Sequence, residues 1–154
     1  MAYNEPQDHA DLLALKNELA HDPRQLGLTT SSQDDEANAN TLNLFRANIS
    51  VMRRSVSTQS VFDSLDPLEH QAMGPSQARY LTDFLNFGQF DPFSSPGIVA
   101  GLAQIFHPTL SVSGPKITEL IHEHGSRITE LYQLGLLSKF ENVTPSDIAR
   151  ARVA

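Results

Sequence analysis

Leu12, Leu15 and Leu19 recur at the three- and four-residue spacing that lines one face of a helix. The pattern predicts a helix over 9–21 with Asp8 as its cap. Asp22-Pro23 should end it, because a residue before proline avoids the right-handed helical region, and Gly27 then allows a turn. Ser32 with Asp35 resembles a capping box and predicts a helix over about 33–45, with Ala37, Thr41, Leu44 and Phe45 on its inner side. The apolar–polar alternation of Ile49-Ser50-Val51-Met52 points instead to an extended segment within 46–56, paired elsewhere.

Proline and small polar residues punctuate the rest. Ser57 or Thr58 caps a short helix through Leu65, and Asp66-Pro67 starts another over 67–73. Gly74-Pro75 repeats the device before 76–87, where Ala78, Leu81, Phe84 and Leu85 form the expected inner face and Gly88 the stop. Ser95-Pro96 opens a helix to Phe106, closed by His107-Pro108. Ser113, Gly114 and Pro115 start one that runs to His124, with Gly125 just past its end. Ser126 caps a helix ending near Gly135, and Thr144-Pro145, with Asp147 at the third position, starts the last. The tetrad Ile117-Thr118-Glu119-Leu120 recurs as Ile128-Thr129-Glu130-Leu131, eleven residues on, which keeps one helix face. These signals agree on an all-α fold: a compact single domain over 8–154 of seven to eight short helices. One short strand pair is allowed around 47–56 and 109–113, and residues 1–7 form a loose polar arm.

Composition narrows the function classes. The 154 residues suffice for one domain with a real core. A formal charge of -7, with Arg53-Arg54 the only dense basic spot, argues against a nucleic-acid surface. The absence of cysteine excludes a disulfide scaffold, a thiolate zinc site and a cysteine nucleophile. No apolar run approaches the roughly 20 residues of a membrane span, and the start lacks the basic and apolar regions of a signal peptide. A soluble protein made in a cytoplasm is expected.

Candidate chemistry is sparse. His122-Glu123-His124 places its histidines two apart, whereas a helical zinc pair needs i and i+4. Asp34-Asp35-Glu36 reads as favourable charge on the first turn of a helix. No Gly-x-Ser-x-Gly elbow or phosphate-cradling glycine loop exists, and Gly97 and Gly101, four apart on a helix, suit close approach of a neighbour. Tyr80, Phe84 and Phe87 at helical spacing read as core rather than as a base-stacking platform. No catalytic residue, cofactor site or metal site is expected.

Five features carry a resemblance that covers most of the chain in outline: Leu15 to Leu28 with its Asp-Pro-x-x-Leu-Gly turn, the acidic Ala-rich helix at Asp34 to Asn43, a mid-chain pair of helices, Ser126 to Leu131, and Val143 to Arg152 with Val-Thr-Pro-x-Asp-Ile-Ala-x-Ala-Arg. Their order and spacing resemble small proteins encoded among the structural genes of tailed bacteriophages. The resemblance implies a virion component of the tail, baseplate or neck, present in multiple copies or a symmetric ring and contacting other virion proteins. It supplies no catalytic residues. The chain departs from the pattern in its long Pro108 to Pro115 connection. Exposed apolar residues at Phe87, Phe90, Phe93, Ile98, Leu110 and Val112 are the expected partner contacts, and Arg127 is expected to pair with Glu123. Rival readings are an assembly chaperone or regulator, or a small lytic or processing enzyme.

Overall fold

A computed structural model describes residues 8–139 and 141–154; the expected arm over 1–7 lies outside the described residues. These contain nine α-helices and four short strands: α1 (His9–His21), α2 (Asp35–Asn43), β1 (Arg46–Met52), β2 (Val56–Ser57), α3 (Thr58–Asp63), α4 (Pro67–Gln71), α5 (Pro75–Leu85), β3 (Gln89–Phe90), α6 (Pro96–Ile105), α7 (Ser113–Ile121), β4 (His122–Gly125), α8 (Arg127–Gln133) and α9 (Pro145–Val153). The fold is therefore mostly helical, with two two-stranded sheets. The chain divides into two compact units, one from 8–51 together with 124–154, the other from the intervening 52–123.

The first unit closes around Leu12, Leu15, Leu19, Leu42, Ile128 and Ile148, with α1 and α2 both packed on α9. Its connections are tied by polar side chains that imitate backbone. Asp22, in the left-handed region at φ 39°, ends α1, and its carboxylate accepts the amides of Leu26, Gly27 and Leu28 at 2.8–3.1 Å. Asn38 accepts the Thr29 amide (3.1 Å) and donates to the Thr29 carbonyl (2.9 Å). Asn43 does the same for the Val143 peptide at 2.9 and 2.8 Å. Asp11 takes up both the amide and the hydroxyl of Ser138. Arg152 forks onto Asp35, and the Thr144–Asp147 capping box forms as expected.

One ion cluster is sunk in this unit. Arg127, 6% exposed, donates from Nε and Nη2 to the two oxygens of Glu18 at 2.6 and 3.0 Å. Its remaining terminal nitrogen bonds Glu130, which is also held by Arg24. The expected partner Glu123 instead pairs with Arg53 at 3.5 Å, in the other unit. Burial alone would push the Glu130 carboxyl up; hydrogen bonds and charge from Arg24 and Arg127 outweigh it and hold the group below its usual range.

Two sequence expectations are corrected here. Helix α2 begins at Asp35, after a 3-10 turn capped by Ser31 rather than Ser32, and buries Asn38, Ala39 and Leu42. Leu44 and Phe45 follow the helix end on extended backbone and are 54% and 68% exposed, while Ala37 is exposed. The asparagine ties set this phase. The helix expected to reach His124 stops at Ile121, and 122–125 become β4, the partner of β1. Gly125 is thus a close-approach glycine: a Cβ there would lie 2.6 Å from Val51 Cγ2. The alternation at 49–52 is a strand as expected, with Ile49 and Val51 buried, whereas 109–113 holds turns and no strand.

The second unit closes around Val61, Leu81, Phe84, Phe90, Leu102 and Ile117. Strands β2 and β3 pair antiparallel, Val56 opposite Phe90. Gly88 takes φ 71° and accepts the Thr58 amide at 2.9 Å. Ser57 and Asp66 cap α3 and α4 as expected. Gly101 lies under the Tyr80 hydroxyl, so the expected close approach exists there, while Gly97 has open space.

Replacing Arg127 with alanine leaves Glu18 and Glu130 buried without their shared cation. A loss of about 3–5 kcal/mol is expected in urea unfolding at pH 7. A carboxylate with a depressed folded pKa stabilises above its unfolded value near 4.5, and that contribution fades as pH falls through the folded one. The difference between wild type and variant should therefore shrink toward pH 3. A loss under about 1 kcal/mol at pH 7, typical of an exposed pair, contradicts this assignment.

Candidate assembly surface

The connection between α6 and α7 carries the most exposed leucine of the second unit, Leu110 at 83%, with Val112 at 55%. Water-exposed apolar side chains on a loose loop would be unremarkable. These are not on a loose loop. Helix α7 starts without a cap of its own, since the preceding residue is Val112. A carboxylate from α4 fills the role: Glu69 accepts the Ser113 amide at 2.7 Å and the Val112 amide at 3.0 Å. The Gly114 amide bonds Ser111 Oγ at 2.8 Å, and Pro115 has no amide to satisfy. The orphan donors of the first turn are thus all accounted for. The Ser113 side chain, fully buried, accepts the Asp66 amide at 2.8 Å and fixes α4 to the same point.

The inner half of the turn is built on His107. Its carbonyl accepts Ser111 Oγ at 2.7 Å and the Ser111 amide at 3.2 Å, and its Nδ1 accepts the amides of Thr109 and Leu110 at 3.2 and 3.1 Å. Gly114 lets the His107 carbonyl lie directly on α7, where any Cβ would collide with it. Hydrogen bonds from Ser113 and Val112 hold the Glu69 carboxyl below its usual range, against a smaller effect of desolvation. Leu68, 74% exposed, precedes Glu69 on α4.

The six expected contact residues separate into two groups. Phe87, Leu110 and Val112 are exposed. Phe90 is not: at 7% exposure it stacks edge-on against Phe84, ring centroids 5.2 Å apart, so its expected exposure is corrected to a core role. The pairing of β3 with β2 turns it inward. Phe93 is partly covered by the Arg54 guanidinium, 5.5 Å above its ring, and Arg54 is itself fixed by Asp91 at 2.8 Å. Ile98 packs against the core. Sequence reading missed Glu69 and the acceptor role of His107. A helix start preceded by valine signals that the cap comes from elsewhere, but not from which of 18 acidic residues.

Beside the turn, Leu102, Phe106, Pro108, Gly114, Ile117 and Ile121 line an apolar cleft of about 40 Å³. It is far below the roughly 300 Å³ at which small-molecule pockets begin. Among the described residues no three His, Asp or Glu side chains are grouped to hold a metal, and no helix is long and apolar enough to cross a membrane.

Glu69→Ala should accelerate hydrogen exchange at Val112 and Ser113 several-fold without lowering overall helix content. The carboxylate must be charged to accept both amides, and its folded pKa is depressed. In wild type the protection is therefore present above pH 4.5 and lost as pH falls further. Glu69→Gln keeps one acceptor and should show an intermediate rate with little pH dependence. Unchanged exchange in Glu69→Ala contradicts the clamp.

No family model matches the chain, and no curated protein or solved structure matches it.

Proposed function

We propose that the chain is a structural component of a tailed-phage virion, in the tail, baseplate or neck, and acts through protein–protein assembly contacts. The observation that carries this reading is the clamped turn: Leu110 and Val112 are exposed yet held in place by Glu69 and His107. Ordering a segment costs roughly 1–2 kcal/mol per residue in backbone entropy alone. A surface ordered in advance spares that cost at the moment of association. Four of the five features of the phage resemblance lie in the first unit, and each becomes one of its ties: Asp22, Asn38 and Asn43, Arg127 with Glu130, and the Thr144–Asp147 box; the mid-chain helix pair lies in the second. In this reading the Pro108 to Pro115 connection, where the chain departs from the family pattern, carries its particular contacts. The partners are neighbouring copies in a symmetric ring and other virion proteins.

Mass spectrometry of purified particles, normalised to the major capsid protein, tests the reading. About six or twelve copies per particle are expected for a ring component. Leu110→Ser with Val112→Ser should fold normally and fail to incorporate, whereas Phe90→Ala should lose about 3–5 kcal/mol of stability because it empties the core. Absence of the protein from finished particles, with ample protein in infected cells, favours a chaperone or regulator and overturns the structural role.

A further inference from the structure

His107 is exposed, and its ring folds back over the turn it begins. Nδ1 receives the Thr109 amide at 3.2 Å and the Leu110 amide at 3.1 Å, and the Thr109 hydroxyl lies 3.3 Å away. Backbone amides only donate, so Nδ1 must present its lone pair and the ring proton must sit on Nε2. Protonating the ring places a hydrogen on Nδ1 and points it at two N–H groups. Three donors then face one another with no acceptor among them. Because the ring is exposed, it can leave for water at little cost, and the Thr109 and Leu110 amides go with it.

We propose that His107 is a pH-operated latch: the neutral ring holds Thr109 and Leu110 in a fixed turn, and the protonated ring releases them. The release is local. Val112 and Ser113 are held by Glu69, a carboxylate that stays charged throughout the range in which histidines change charge, roughly pH 5 to 8. Acidification over that range therefore frees the Leu110 half of the turn while the start of α7 stays capped. The charged surroundings do not supply a substitute switch. Helix α6, which leads into His107, contains no titratable residue, and α7 contributes Lys116 and Glu119. Helix α4 contributes Glu69, committed to the two amides, and His70, whose ring packs edge-on to Phe62. The latch stands apart from the assembly reading, since the turn responds whether or not anything binds it.

The chain holds six histidines, so a bulk pH scan does not isolate one. Asparagine does. Its Oδ1 takes nearly the position of imidazole Nδ1, accepts the same amides and has no charge to gain. Residue-resolved hydrogen exchange on the full chain at pH 7.5 and pH 5.5, corrected for intrinsic rates, is the experiment. In wild type, protection at Thr109 and Leu110 should fall several-fold at pH 5.5 while Val112 and Ser113 keep theirs. His107→Asn should protect Thr109 and Leu110 equally at both pH values, and His107→Ala at neither. Equal protection in wild type at both pH values overturns the latch, as does an unchanged pH response in His107→Asn. If His107→Ala fails to fold, the wild-type and His107→Asn arms still decide, and the nitrogen shifts of the His107 ring replace the third. A bare Nδ1 at pH 7.5 supports the latch, and a proton on Nδ1 overturns it.

Discussion

The first unit depends on where the Arg127 guanidinium finds its charges. A cation only 6% exposed must be matched on every face, and its partners come from α1 and from its own helix α8. Glu18 and Arg127 are 109 residues apart, so the two segments that build the unit must meet before the charge is satisfied. Such a cluster adds little net stability over a well-packed apolar core, yet any arrangement that separates its members leaves a buried charge alone. The leucine stripe of α1 drives the two segments together. The ion cluster, with the asparagine and aspartate ties, selects one register among the many that bury leucine.

The second unit is stabilised differently. Its core is apolar and aromatic, and its polar ties gather at helix starts, where proline, serine and aspartate satisfy first-turn amides. Helix α7 is the exception, capped across space by Glu69. That one displaced cap is what converts the α6–α7 connection from a loop into a surface. The same cap and the His107 turn hold Leu110 and Val112 outward, although both would be better buried for the fold alone.

Local signals were legible and long-range ones were not. Asp22-Pro23, Ser57, Asp66-Pro67, Ser126 and Thr144-Pro145 mark true element ends, because a cap is made within three or four residues. The Ile49–Val51 alternation marks a true strand. Its partner was misread: 122–125 has no alternation of its own and becomes a strand because β1 lies beside it and Gly125 admits Val51. The inner face of α2 was assigned from its apolar residues, while the structure sets it with Asn38, a polar residue buried by its two bonds to Thr29. For the same reason the expected i−4 partner of Arg127 gave way to Glu18, which no local spacing announces. In the candidate surface Leu110 and Val112 were visible as apolar residues in a turn-rich segment, but the groups that immobilise them lie on α4 and in the His107 ring.

Under the proposed virion role, a photoreactive side chain placed at position 110, with crosslinked peptides from purified particles identified by mass spectrometry, tests the assembly surface most directly. Crosslinks concentrated on one neighbour, either another copy of this chain or a second virion protein, are the expected result. Crosslinks absent at position 110 but present from a control position at Glu36, on the exposed face of α2 in the first unit, would contradict the assignment of the contact surface to the clamped turn.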